Sequence, residues 1–295
     1  MAARNFLVLV AMAAALPAIA QTSGHDESVP DLSGIWAHAL PGFEPMPTGP
    51  TALVNRSRRP DGTGDILKLA GDYTNPILKH QSAQMVKLHG ELGLNYIGDA
   101  NPRNQCWPEG PPFVFTNGPV QIIQTPDKVT MLYTYNHQVR HVRMNQPHPE
   151  KVVPSWYGDS VGHYEGDTLV IDTVGMKLGP YSMVDWYGSP RSEVTRVVER
   201  YSLLSYDEAK DGFARDAKQH NVAPGMPTPN AAGKYLQLQF TVHDHNVFTM
   251  PWTATMTYRI GAAGPLEWNE LSCAENILWY PGKDADLPQA KKADF

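Results

Sequence analysis

From about residue 120 onward, apolar and polar residues alternate with a period of two, the spacing of strands that bury one face. Over Tyr235–His243, Leu236, Leu238, Phe240 and Val242 fall on one side, with Tyr235, Gln237, Gln239, Thr241 and His243 on the other. One side meets an apolar layer; the other meets solvent or a polar cavity, and the pattern leaves both open. Similar β-branched and aromatic runs occupy 122–124, 129–135, 138–144, 160–164, 168–173, 194–204, 252–260 and 267–273. Glu165, Gly166 and Asp167 separate two of them as a tight hairpin turn. So many short strands predict a mainly β fold, a sandwich or a closed antiparallel barrel, with one or two short helices and long loops.

The helical signals are few. Thr74, Asn75 and Pro76 read as a helix start, followed by an apolar stripe of Ile77, Met85, Val86 and Leu88 ending near Gly90 or Gly93. A second short helix is predicted over 208–217. Pro- and Gly-rich stretches at 40–64 and 207–233 read as surface excursions.

The first twenty residues differ from the rest. Arg4, an apolar run over 6–16 and the small residues Ala18-Ile19-Ala20 have the three parts of a secretory signal cleaved near Ala20. The run is shorter than the ~20 apolar residues that span a bilayer. The expectation is therefore a periplasmic or secreted protein without stable membrane insertion, with 21–295 as a single barrel-type domain. Export changes the reading of Cys106 and Cys273, the two cysteines of the chain. In an oxidising compartment they form a disulfide worth ~4 kcal/mol through loop closure. Two separate buried thiols are the alternative.

The net charge of −6 carries no clustered basic footprint, which argues against nucleic acid as a partner. Arg56, Arg58, Arg59 and Lys68 form too small a cluster to change this. No Gly-x-Ser-x-Gly elbow, phosphate loop, dinucleotide fingerprint or Cys-x-x-Cys is present, so no organic cofactor is expected.

Several segments resemble a large, poorly characterised family of secreted bacterial β-rich proteins. They are Asp31-Leu-Ser-Gly-Ile-Trp36, Cys106-x-Pro-x-Gly-Pro-Pro112, Ile122-Ile-Gln-Thr-Pro126, the block from Ser155 to Gly175, Val197-x-Glu-Arg-Tyr201, Pro251-Trp-Thr253 and Cys273-x-Glu-Asn276. Gly34-x-Trp36 is also similar to the opening of lipocalin-like barrels, which implies a calycin-type barrel with an internal cavity. The chain departs from the family pattern at His243-Asp244-His245, where Asp-Asp-Pro is usual, and at Arg191, where His is usual.

The candidate chemistry is histidine-rich. On an extended strand, His137, His141 and Arg143 share one face and Arg140 takes the other. His243 and His245 share a face two residues apart. Imidazoles near neutrality serve as acid or base, and Arg holds carboxylates or developing oxyanions. Glu199 lies with Val197 and Tyr201; inside a barrel it needs a partner, for which Arg140 or Arg143 is suited. His137, His141, His243, His245, Arg140 and Glu199 are thus the catalytic candidates, with Tyr133, Tyr135, Trp156, Asp185, Trp186 and Tyr201 as substrate contacts. His243 and His245 are also the candidate metal ligands, though no third ligand is indicated by spacing. The expected function is cofactor-independent acid–base catalysis, a lyase or isomerase rather than a hydrolase, on a small cyclic or aromatic molecule in a barrel cavity. The alternative is a non-enzymatic carrier of a hydrophobic small molecule.

Overall fold

A computed structural model describes residues 29–38, 42–65, 67–94, 101–116, 118–220, 233–260 and 273. The expected signal segment and most of the expected strand over 267–273 lie outside these residues. The elements in chain order are β1 (Gly34–Ala37), β2 (Glu44–Pro45), α1 (His80–Leu94), a 3-10 turn (Phe113–Thr116), β3 (Val120–Gln124), β4 (Lys128–Tyr133) and β5 (Gln138–Met144). There follow β6 (Asp159–Glu165), β7 (Thr168–Val174), β8 (Arg196–Leu204), α2 (Tyr206–His220), β9 (Tyr235–His243) and β10 (Trp252–Ile260).

Nine strands close into a barrel in the order β1-β3-β4-β5-β6-β7-β8-β9-β10, with β1 returning to β10, and β2 pairs with β10 outside the ring. The barrel is mixed rather than wholly antiparallel: β5 and β6 run parallel through Arg143↔Val161 and Met144↔Gly162. A parallel pair needs a long crossover, here residues 145–158. His148 pins that crossover to the wall, its Nδ1 2.6 Å from Asp159 and its Nε2 3.5 Å from Asp172.

The two-residue alternation sets what faces inward. Leu236, Leu238, Phe240 and Val242 of β9 register against Tyr258, Met256, Ala254 and Trp252 of β10. With Trp36, Ile122, Met131, Val142, Leu169, Ile171 and Val197, they are buried in one core. The interior is thus filled by side chains, where the sequence predicted a cavity. Trp36 is fully buried among them, its indole N–H donating to Leu32 O at 2.7 Å. Gly162 of β6 also faces inward, and a Cβ there would stand 2.9 Å from Val142 and 3.0 Å from the Met144 sulfur.

Helix α2 begins at a capping box: the Ser205 hydroxyl accepts from Glu208 N, and Glu208 accepts from Ser205 N at 2.9 Å. Its Phe213 meets Tyr235 edge-on at 5.9 Å, covering the outer face of β9 and β10. Beneath it the buried Glu44 accepts from Thr257 N at 2.7 Å and from Arg215 at 3.4 Å. His38 and Asp216, 3.9 Å apart, complete this pocket of charge. Helix α1 starts later than Asn75-Pro76 predicts, because those residues form a turn instead. Asn75 Oδ1 accepts from Ile77 N, and residues 77–79 lie against 247–249 through Lys79 N to Val247 O and Thr249 N to Ile77 O. The expected stripe holds only in part: Val86 is buried, while Met85 and Leu88 face solvent.

Among the described residues, no helix is long and apolar enough to cross a membrane. Cys106 and Cys273 form a disulfide with Cα atoms 5.4 Å apart, and Cys273 N donates to Asn136 in the β4–β5 connection.

Candidate functional site

The sequence candidates separate into three places, and a fourth site holds none of them. Arg140 and Glu199 meet inside the barrel, as the pairing argument required. The guanidinium donates to Glu199 Oε2 at 2.8 Å and Oε1 at 2.6 Å, to Thr173 at 2.6 Å and to Ser160 at 3.1 Å. Tyr201 donates to Glu199 Oε2 at 3.0 Å. Burial works against the guanidinium's charge, but the adjacent Glu199 outweighs it and holds Arg140 protonated beyond the ordinary arginine range. Tyr133 stands beside this pair, its phenol pushed up to about 12 by burial. Every donor of Arg140 is used and both residues are sealed from solvent.

The histidines lie elsewhere. On β5, Arg140 points inward and His141 and Arg143 point outward. His137 is not on the strand at all: it and Asn136 form the turn before β5, with φ of 48° and 57°. Asn tolerates this left-handed geometry, and the turn takes both residues out of the alternation. His243 ends β9 on the outer wall, where burial and Arg196 hold its pKa below the ordinary value against Asp172. His245 falls in the following turn, exposed, with its carbonyl accepting from Lys79 Nζ. The shared strand face expected for His243 and His245 is therefore absent, because β9 stops between them. Among the described residues, no group of three metal-ligating side chains comes together.

A third place is an aromatic rim at the barrel's edge. Trp156 meets Trp107 edge-on at 5.2 Å, and Trp186 stacks on Phe113 at 5.3 Å while donating to Thr116 at 2.8 Å. Arg103 lies over both Tyr135 (4.4 Å) and Trp186 (5.1 Å). Asp185 is buried and acts locally: its Oδ1 accepts from Tyr187 N and Ser189 N, shaping the loop that carries Trp186. Burial raises its pKa against those hydrogen bonds.

The fourth place was not predicted. Between α1 and the 55–73 excursion lies an open cavity of about 360 Å³, within the ordinary range for small-molecule sites. Ala70, Gly71, Val86 and Gly90 form its apolar floor; Arg56, Ser57, Tyr73, Lys87 and Glu91 supply its polar groups. Asn55 builds the wall. Fully buried, its side chain accepts from Ser57 N (3.0 Å) and Ala70 N (3.1 Å) and donates to Asp65 O (3.0 Å), tying the two limbs of the excursion together. Gly71 has no room for a side chain, since a Cβ there would be 2.5 Å from Tyr187 and 2.9 Å from Val86. The Arg56 guanidinium lies 4.4 Å and the Lys87 ammonium 5.7 Å from the Tyr73 ring centre. Two cations around one ring, against the single Glu91 carboxylate 4.0 Å from Lys87 Nζ, leave the cavity's mouth attractive to anions and to π systems. Arg56 belongs to the small basic cluster visible in the sequence, but nothing in the pattern joins it to Tyr73 and Lys87.

The fold and its sites define a closed nine-stranded mixed barrel with an external α1 cavity. No family model, curated protein or solved structure matches the chain.

Proposed function

We propose that this is an exported binding protein for a small organic anion with an apolar or aromatic body, held outside the barrel in the α1 cavity. The single observation behind the reading is the 360 Å³ opening, whose apolar floor ends in a tyrosine flanked by Arg56 and Lys87. An aromatic or aliphatic body lies on Val86 and Ala70 and against Tyr73, while the two cations take the anionic end. The carrier reading of the sequence is thus kept and moved from the lumen to the outer wall. Acid–base catalysis in the lumen asks for histidines facing Arg140 and Glu199, and the described histidines of β5 and β9 face the other way.

The test uses anilinonaphthalene sulfonate, an anionic aromatic probe whose emission rises on binding. The intact protein should give saturable binding, weakened about ten-fold or more by Tyr73→Ala and by Lys87→Glu. Gly90→Leu, which fills the cavity, should abolish it, and His141→Ala should leave it unchanged. Equal binding by the intact protein and all three cavity variants would overturn the proposal.

A further inference from the structure

A second recess lies at the aromatic rim, apart from the α1 cavity and independent of the reading given to it. It is small, about 10 Å³, and Trp107, Trp156, Phe113, Tyr181 and Arg191 line it. That volume is close to the lower limit for one water-sized group.

Arg191 makes this recess unusual. Its side chain is held in a buried setting, with 8% of the residue exposed. Nη2 donates to Lys177 O at 3.0 Å and, at the 3.5 Å limit, to Ser182 Oγ. Nε and Nη1 are buried and meet no hydrogen-bond acceptor. The contrast with the other interior arginine is direct: Arg140 has a carboxylate and two hydroxyls, whereas Arg191 has neutral oxygens on one nitrogen only. Burial alone pulls its pKa down to about 10, and among the described residues no carboxylate forms an ion pair with it. Leaving donors of a charged group dry and unpaired is strongly unfavourable in a protein interior.

The surroundings carry three cations and one buried carboxylate, Glu109, whose charge acts on Arg103. The Lys177 ammonium stands 4.9 Å from the Trp156 ring centre, and Arg103 sits a short way along the rim over Tyr135 and Trp186. Aromatic rings carry positive edges, and Trp107 meets both Trp156 and Tyr181 in edge-on geometry. Gly110 lets the chain pass close: a Cβ there would lie 2.7 Å from Arg191 Nη1.

We infer that the Arg191 recess is a binding site for a compact monovalent anion, either a halide or the carboxylate end of a small organic acid. The guanidinium supplies the charge and two nitrogens that no protein acceptor takes up, and Trp107, Trp156, Phe113 and Tyr181 wall them in. A bulky or divalent anion is too large for the space.

The experiment is a titration of the full mature protein with sodium chloride, sodium acetate or sodium benzoate. Ionic strength is held constant with sodium sulfate, whose divalent anion is too large for the recess, and tryptophan emission reports on Trp107 and Trp156. A saturable change is expected, together with a rise in melting temperature at saturation. Saturation by chloride and acetate identifies a site for the bare anion. This result supports the assignment, whereas saturation by benzoate with neither chloride nor acetate saturating is the behaviour of the α1 cavity and would overturn it. Arg191→Met should raise the half-saturation concentration about ten-fold or more, and Arg191→Lys, which keeps the charge, should raise it less. Chloride-35 line broadening by the intact protein, reversed by acetate, gives a second measurement that needs no variant to fold. No saturable response to any of the three salts and no reversible line broadening would overturn the inference. So would an unchanged half-saturation in folded Arg191→Met.

Discussion

Replacing Glu44 by Gln should change how stability depends on pH. Glu44 is fully buried under α2, with Asp216 and Arg215 facing it from α2, Thr255 and Thr257 from β10, and His38 from the end of β1. Burial, with Asp216 adding to it, raises its pKa from 4.5 to about 7; Thr257 and Arg215 oppose this. The folded protein therefore holds a proton on Glu44 that the unfolded chain releases at lower pH. The stabilising contribution is complete below pH 4.5 and is lost as pH rises through about 7. With 1.36 kcal/mol for each pH unit between the two values, the loss is about 3 kcal/mol. Glutamine keeps the acceptor for Thr257 N and stays neutral throughout. Urea denaturation followed by tryptophan emission, run from pH 4.5 to 8 on both proteins, measures the effect. The unfolding free energy of the native protein should fall relative to Glu44→Gln by about 3 kcal/mol across that range. Parallel curves, or a native protein that gains on the variant as pH rises, would refute the argument.

Other outcomes follow from the interior and the disulfide. Glu199→Gln leaves Arg140 buried beside a neutral group, and about 3–5 kcal/mol should be lost in denaturant melts. The double change Arg140→Met with Glu199→Leu should recover much of that loss, because no charge is left buried. Gly162→Ala pushes a methyl to 2.9 Å from Val142 and should cost about 1–3 kcal/mol, read in the same melts. Replacing Cys106 and Cys273 by alanine frees a loop spanning a sequence separation of 167, and about 4–5 kcal/mol should disappear from the stability at 25 °C.

Much of the fold was legible because strand alternation is a local signal. Three of the runs read from sequence, 138–144, 235–243 and 252–260, match β5, β9 and β10 residue for residue. The Glu165-Gly166-Asp167 hairpin joins β6 and β7 as predicted, and Gly166 takes a φ of 61°. The same alternation separated Arg140 from His141 correctly but did not say which side was inward. That depends on the curvature of the closed sheet, which no single strand carries. The parallel β5–β6 pair was hidden for a similar reason, since crossover 145–158 looks like any Pro-rich loop. His137 and His245 were misplaced because β5 begins one residue after His137 and β9 ends two residues before His245. The α1 cavity joins Arg56, Tyr73 and Lys87 from separate segments, held by the buried Asn55 side chain, and no periodicity marks such a meeting. The free nitrogens of Arg191 likewise emerge only from what surrounds them in three dimensions.

The way the ring closes gives Arg140 a further consequence. Two of the ring's joints are each only two residue pairs long, β5 with β6 and β1 with β10. Elsewhere the ring strands pair over longer stretches, up to nine residue pairs between β8 and β9. Cut at the two short joints, the wall falls into two arcs, β1-β3-β4-β5 and β6 to β10. Arg140 belongs to the first arc, while Ser160, Thr173 and Glu199, its three partners, come from β6, β7 and β8 of the second. The buried ion pair is therefore a rivet through the lumen, fastening two halves whose seams are lightly stitched. The seam amides are where hydrogen exchange should begin, and loss of the rivet should open them before the middle of either arc.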